Sequence, residues 1–482
     1  MHKIETHNRN LTTCEVFLFP KLSSIFTKHM QRTIRTFSND SQDEFKTNLL
    51  SWSQQFETAI WLDSNKYQQQ YSSFDGALAV EEFTAIKTDY FNAFDKLKEY
   101  QTLTKDYIFG YISYDVKNDV ERLSSHNFDG LDFADLYFFQ PQKLIFIKGN
   151  AIEFHYLKMV ADEIEIDYEI IKNLSTPSQS KGFENKEGLD CAEPNPEQNE
   201  IKIKLRIHKD EYHQKVNTVL DHIKRGDIYE ANFCQEFYAE NSTINPLEVY
   251  THLNKISEPP FAVFFKMEHQ YLLSATPERY LRKEGTKIIS QPIKGTAKRL
   301  VSAFDDAQIA LDLQRDEKER SENVMIVDLV RNDLSKSAKK GSVKVEELCK
   351  VYSFKQVHQL ISTVVSEIEE STHPVTVIKD TFPIGSMTGA PKVSAMKIIE
   401  ELEETKRGLY AGTVGYFTPN GDFDFNVVIR SILYNEEKKY ISYSVGGAIT
   451  AKSIPEKEYE ECLLKAKAMR YVLLNSNSKK EA

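Results

Sequence analysis

Apolar positions recur along this chain with two different periods. Val216, Val219, Leu220 and Ile223 lie three and four apart and stop at Gly226, which predicts a helix. The same spacing predicts helices over roughly 305–331, 355–369, 391–404 and 454–474. Ser453 can cap the last of these, with Glu456 three residues on as a capping box. Short β-branched and aromatic runs predict strands at 263–265, 271–273, 287–289, 412–417, 426–434 and 440–444. Earlier strands are predicted at 59–64, 107–115 and 144–147. Strands and helices in blocks point to α+β, with antiparallel β-sheets packed with outer helices. No period of 20–50 residues recurs, so this is not a repeat protein.

Composition places the boundaries. Residues 175–200 are rich in Ser, Pro, Asn, Gln and Glu, and read as a linker or disordered loop. They separate an N-terminal region, 30–174, from a larger region, 201–475. With 482 residues in all, two lobes are the expectation. Residues 1–29 read as an extension, because the apolar stretch at 17–20 is too short for a secretory signal. Residues 476–482 read as a tail.

Charge and cysteine usage then exclude function classes. The chain is 40% apolar and 28% charged, which is ordinary for a globular protein in water. A net charge of −11 argues against broad nucleic-acid binding and against adhesion to anionic membranes. It leaves room for a small anion held by local cations. No apolar run approaches the roughly 20 residues of a membrane helix. Cys14, Cys191, Cys234, Cys349 and Cys462 are far apart and form no Cys-x-x-Cys pair. Neither a disulfide framework nor a zinc site is expected, and a reducing cytoplasm fits. None sits in a Gly-x-Cys-x-Gly turn. If the protein uses glutamine nitrogen, another chain must release it.

Three features carry candidate chemistry. Lys294 lies in Gln291-Pro292-Ile293-Lys294-Gly295-Thr296, which reads as a strand meeting a tight turn. Glu319 and Glu322 are three apart on one helix face, as are Glu458 and Glu461, with Lys465 four further on. On spacing alone these pairs are either solvated faces or, if they share a cavity, a cation site suited to Mg2+. Gly389-Ala390-Pro391-Lys392 enters a helix, where free N–H groups favour an anion.

The segments around these features resemble, in order, the motifs of the chorismate-using enzymes. That family includes component I of anthranilate synthase, component I of aminodeoxychorismate synthase, and the isochorismate and salicylate synthases. The matching segments are 226–233, 274–279, 291–299, 316–334, 351–360, 383–392, 410–416, 429–431, 446–447 and 453–466. A weaker match covers about 55–160, a region that forms a tryptophan pocket in some members. The resemblance implies Mg2+ on Glu322 and Glu461, with Glu319 and Glu458 bound through water. It implies Glu278 as the general acid at the C4 hydroxyl of chorismate, with His358 near that hydroxyl. Thr388, Gly389, Tyr410, Arg430, Gly446, Gly447 and Lys465 would hold the substrate. Of these, Tyr410 and Arg430 would grip the enolpyruvyl carboxylate, and Gly446 and Gly447 would let backbone approach it.

Two positions depart from the family pattern. Asn323 replaces a histidine, and Glu230 replaces a glutamine. In isochorismate synthases the second position carries a lysine base, so water addition is not expected here. The residue at Lys294 is small in anthranilate-forming members and lysine in aminodeoxychorismate-forming ones. The resemblance therefore implies a covalent Lys294 adduct. It implies chorismate and ammonia as substrates, a separate glutamine amidotransferase as partner, and a product on the route to 4-aminobenzoate and folate. A lysine with the ordinary pKa of about 10.4 is rarely neutral, so a lowered pKa is expected. An anthranilate-forming enzyme and a non-catalytic chorismate-binding relative are the alternatives.

Overall fold

The computed structural model describes residues 31–39, 41–67, 70–174 and 201–476. The expected extension, the expected linker and all but the first residue of the expected tail lie outside these. Every ladder between strands is antiparallel. Helices pack on the outside, so the architecture is α+β as the periodicities imply.

One strand, Leu136–Lys148, belongs to two sheets. It pairs with Gly76–Thr88 along its length and with Ile108–Ile112 near its start. From Gly76–Thr88 one sheet runs through Thr58–Asp63, Phe261–Met267, Gln270–Thr276, Ser431–Asn435 and Tyr440–Thr450 to Glu230–Ala239. From Ile108–Ile112 the other runs through Thr413–Phe417, Phe423–Asn426, Arg279–Glu284 and Lys287–Gln291 to Val357–Glu367. Strands on either side of residues 175–200 thus pair with one another. The composition break there does not divide the sheets into two lobes.

Alternation along the strands sorts side chains into two cores. Ile60, Ala77, Phe265 and Leu272 join Phe138, Val364 and Phe425 of the second sheet. Their neighbours Ala59, Trp61, Leu78 and Phe264 instead pack with Phe45, Trp52, Val249 and Leu253 of the outer helices.

Several expected elements form as read. The helix over 216–223 is Lys209–Arg225, and Gly226 ends it at φ +85°. The helix over 391–404 is Lys392–Leu402. Others differ. The helix expected over 305–331 is two, Ala303–Arg315 and Glu317–Ser335. Asp316 divides them, and its carboxylate accepts the Glu319 N–H at 2.9 Å. The helix expected over 355–369 is the strand Val357–Glu367. It is flanked on both edges, by Lys344–Ser353 on one side and by Lys287–Gln291 and Ile293–Lys298 on the other. The strand expected over 426–434 is interrupted at residues 427–430. The final helix is Pro455–Asn475, but Ser453 does not cap it; its hydroxyl accepts the Thr450 N–H instead. Among the described residues no helix is long and apolar enough to cross a membrane.

Candidate active site

Lys294 sits at a β-bulge. Strand Ile293–Lys298 pairs with Val357–Glu367, but the register slips between Ile293↔Ile361 and Thr296↔Gln359. One extra residue is therefore accommodated at Lys294-Gly295, and Gly295 takes φ +91°. This is a bulge within a continuing strand, rather than the tight turn expected. Bulges re-aim a side chain, and this one sends Lys294 inward. Asn323 holds the bulge in place: its amide donates to the carbonyls of Lys294 (3.3 Å) and Leu360 (3.2 Å).

Three carboxylates surround the amine. Glu230 Oε1 is 3.5 Å from Lys294 Nζ, and the lysine side chain is 14% exposed. Burial alone would lower the Lys294 pKa, but Glu230, Glu322 and Glu278 together outweigh it and raise it. The expected lowering is therefore reversed: in the free protein the neighbouring carboxylates favour the ammonium form of Lys294. Glu230 opens a strand, Glu278 lies between two strands and Glu322 is on a helix; Glu230 was the departure from the family pattern.

Glu278 follows Pro277 in the break between strands Gln270–Thr276 and Arg279–Glu284. It is 4% exposed. Burial pushes its carboxyl up to about 7, against smaller lowering effects from Ser386, Lys294 and the Ile293 backbone. The Ser386 hydroxyl faces it without a hydrogen bond of good geometry. A carboxyl poised near neutrality in a dry site can deliver a proton.

The two glutamate pairs do face one another. Burial raises the Glu319, Glu322 and Glu458 carboxyls, and the Glu461 charge adds to the rise in each. Partial desolvation acts on the half-exposed Glu461 as well, but Lys465 and Lys318 bring it below its ordinary value. Lys318 is a further cation among them, 3.7 Å from Glu322. Among the described residues, no three acidic, His or Cys side chains close on a point where they alone could hold a metal. The donor set still fits Mg2+, which takes one or two carboxylates and fills its shell with water and substrate oxygens.

The remaining residues line the same region unevenly. Lys465 Nζ is 2.8 Å from Glu461 and donates to the Gly446 carbonyl at 2.9 Å. A Cβ on Gly447 would lie 3.3 Å from Glu458 and 4.0 Å from Lys465 Nζ, so this glycine borders the acidic cluster. A Cβ on Gly446 would fall 2.3 Å from Cys234 Sγ, so strand packing requires a glycine there. Gly389 pairs with Ala231, and the Thr388 carbonyl accepts the Asn232 N–H, so this segment lies against the strand carrying Glu230. The Thr388 hydroxyl donates to the Gly385 carbonyl at 3.1 Å. Lys392 turns away to Asp333 and the carbonyls of Thr381 and Pro383.

Arg430 stands out by its backbone. It occupies the strand interruption at φ +52°, a conformation that costs a side-chain-bearing residue roughly 1–2 kcal/mol. No hydrogen bond or ion pair to a described residue holds its guanidinium. A strained arginine without a described partner, beside Tyr410, could take an anion from outside.

His358 is the residue the structure leaves out. It lies on a strand, not on the expected helix, and is buried. Its two ring nitrogens engage Ser353 (2.8 Å) and Asp306 (3.0 Å), a carboxylate that also binds Arg299. Neither nitrogen is directed at Glu278 or Lys294.

Comparison with known proteins matches these features to one family. The family described as chorismate binding enzyme matches residues 56–471. The anthranilate synthase component 1 of Aquifex aeolicus is 32% identical over 403 residues, 80% of each chain. A probable chloroplastic aminodeoxychorismate synthase of Oryza sativa is 42% identical over 274 residues, which is 56% of this chain and 30% of that protein. The aminodeoxychorismate synthase component 1 of Escherichia coli is 39% identical over 253 residues, 52% of this chain and 55% of that one. The chain thus spans about half or less of these aminodeoxychorismate synthases. Among solved structures, anthranilate synthase component I of Streptococcus pneumoniae superposes with a TM-score of 0.68 at 25% identity, covering 84% of this chain and 94% of its own. With its match running from the first sheet to the last helix, the chain belongs to the chorismate binding enzyme family.

Proposed function

We propose that this protein converts chorismate and ammonia to 4-amino-4-deoxychorismate, with Lys294 as a covalent nucleophile. The observation that carries this reading is the Lys294 amine itself, turned inward by its bulge to lie among Glu230, Glu278 and Glu322. Lys294 attacks C2 of the ring while Glu278 protonates the departing C4 hydroxyl. Ammonia then adds at C4 and expels the lysine. Arg430 and Tyr410 hold the enolpyruvyl carboxylate. The aminodeoxychorismate synthases among the relatives support this assignment, and a separate amidotransferase would supply the ammonia. The long match to the Aquifex protein favours a second reading, anthranilate formation, and Lys294 argues against it. Identifying the product formed from chorismate, Mg2+ and ammonium by mass tests the proposal.

A bound Mg2+, held directly by Glu322 and Glu461 and through water by Glu319 and Glu458, would give the ring carboxylate a positive anchor. Turnover is then expected to stop with EDTA and return with Mg2+. Glu322→Gln should raise the Mg2+ needed for half-maximal rate by about tenfold or more. A rate indifferent to EDTA would remove the metal from the account.

A further inference from the structure

Glu230 opens strand Glu230–Ala239 and is 1% exposed. One of its oxygens faces the Lys294 ammonium at 3.5 Å. The other, Oε2, is buried with no hydrogen-bond partner. A buried acceptor left bare costs about 1–3 kcal/mol, so its presence beside the key amine calls for a use. To form a bond to carbon, the Lys294 ammonium must first lose a proton. Three carboxylates are near enough to influence it: Glu230, Glu322 and Glu278. Glu278 is occupied, since its own proton goes to the leaving oxygen. Glu322 faces Lys318 and the other glutamates. Glu230 alone forms an ion pair with Lys294 among the described residues, and of the three only Glu230 has a fully buried oxygen without a partner.

We propose that Glu230 is the base that takes the proton from Lys294 and gives it back when the lysine leaves. The proposal rests on the reading of Lys294 as nucleophile. The ammonium proton moves to Glu230, leaving a neutral amine and a neutral acid. The amine's electron pair forms the N–C2 bond, the ring double bonds shift, and the C4–O bond breaks. The oxygen departs as water with the Glu278 proton. Ammonia next bonds to C4, the double bonds shift back, and the C2–N pair returns to Lys294. The new C4 ammonium passes one proton to Glu278, and Glu230 re-protonates the lysine. Both acids and the lysine end as they began.

Glu230→Gln keeps the size and removes the base. It also removes an anion from Lys294, so two roles predict opposite signs. If Glu230 only held the lysine charged, the variant would have more free amine and turn over faster. If Glu230 accepts the proton, turnover falls by about 100- to 10,000-fold. Labelling with acetic anhydride, read on the Lys294 peptide by mass, reports the amine independently of activity. In Glu230→Gln this labelling is expected to begin at lower pH while turnover falls, and Glu230→Asp is expected to keep more turnover than Glu230→Gln. Unchanged or faster turnover in Glu230→Gln, or an Asp variant no better than the Gln variant, overturns the proposal. If Lys294→Ala itself retains full turnover, the nucleophile reading has failed, and this proposal with it; a dead Lys294→Ala beside a fully active Glu230→Gln condemns Glu230 alone.

Discussion

Lys294→Ala is expected to lose 4-amino-4-deoxychorismate formation by on the order of 1,000-fold or more, about 4 kcal/mol of barrier. The covalent route splits one difficult displacement into two easier ones, and the variant has no atom that can reach C2. The loss should fall on kcat, with chorismate binding largely kept, because the carboxylate grips lie on other elements. Arg430 occupies the interruption between two strands, and the glutamates lie on the helices Glu317–Ser335 and Pro455–Asn475. Removing the lysine also leaves Glu230 buried without its cation, so some stability is expected to go with it. A thermal melt separates the two effects. A folded variant without product supports the covalent role, whereas a folded variant at full rate contradicts it. An anthranilate-type product from the variant would identify this position as the one that directs the reaction path.

Glu278→Gln has the second-largest expected effect, and it acts in two directions. As a general acid, Glu278 works only when protonated. Its loss should cost about 100- to 10,000-fold in turnover. In the wild type, activity should fall as pH rises through about 7, where burial places this carboxyl. That limb should be missing from the residual activity of the variant. Stability moves the other way. The folded carboxyl at about 7 lies above the ordinary 4.5. The folded protein therefore keeps a proton that the unfolded chain gives up between those values. Wild-type stability falls as pH rises through this window, by about 3 kcal/mol in all. Glutamine has no proton to lose. The variant should melt higher than wild type above about pH 8, with the advantage disappearing near pH 4. Equal melting at both pH values would mean that Glu278 is not buried as a carboxylic acid.

How much of this was legible beforehand depends on whether local pattern or tertiary assembly decided each feature. The helix ending at Gly226 and the helix entered through Pro391 form as read, because each carries its own terminal signal. Val357–Glu367 was mistaken for a helix because Leu360, Ile361, Val364 and Val365 repeat at helical spacing. The spacing arises because this strand is buried on both faces, which erases the polar alternation. Its β-branched residues, Val357, Ile361, Thr363, Val364 and Val365, were the signal for a strand. The break at Asp316 was also present in the sequence, as a capping residue three before Glu319.

At the site, the residues were legible but their electrostatics were not. Lys294, Glu278 and both glutamate pairs were named from motifs and spacing, and the fold brings them into one region. The charge state of Lys294 was misjudged because it depends on Glu230, Glu278 and Glu322, which only the folded sheets bring together. The lowered pKa was expected from the nucleophile role, which says nothing of the opposing carboxylates. His358 is the opposite case. A motif position suggested chemistry, but Asp306 and Ser353 engage its ring.

On the proposed covalent route, the inward-turned Lys294 commits this member of the family to one product. Incubating the purified protein with chorismate, Mg2+ and ammonium, then identifying the small-molecule product by mass, tests it most directly. The expected product is 4-amino-4-deoxychorismate, with no release of pyruvate. Anthranilate with pyruvate, or unchanged chorismate, would contradict it.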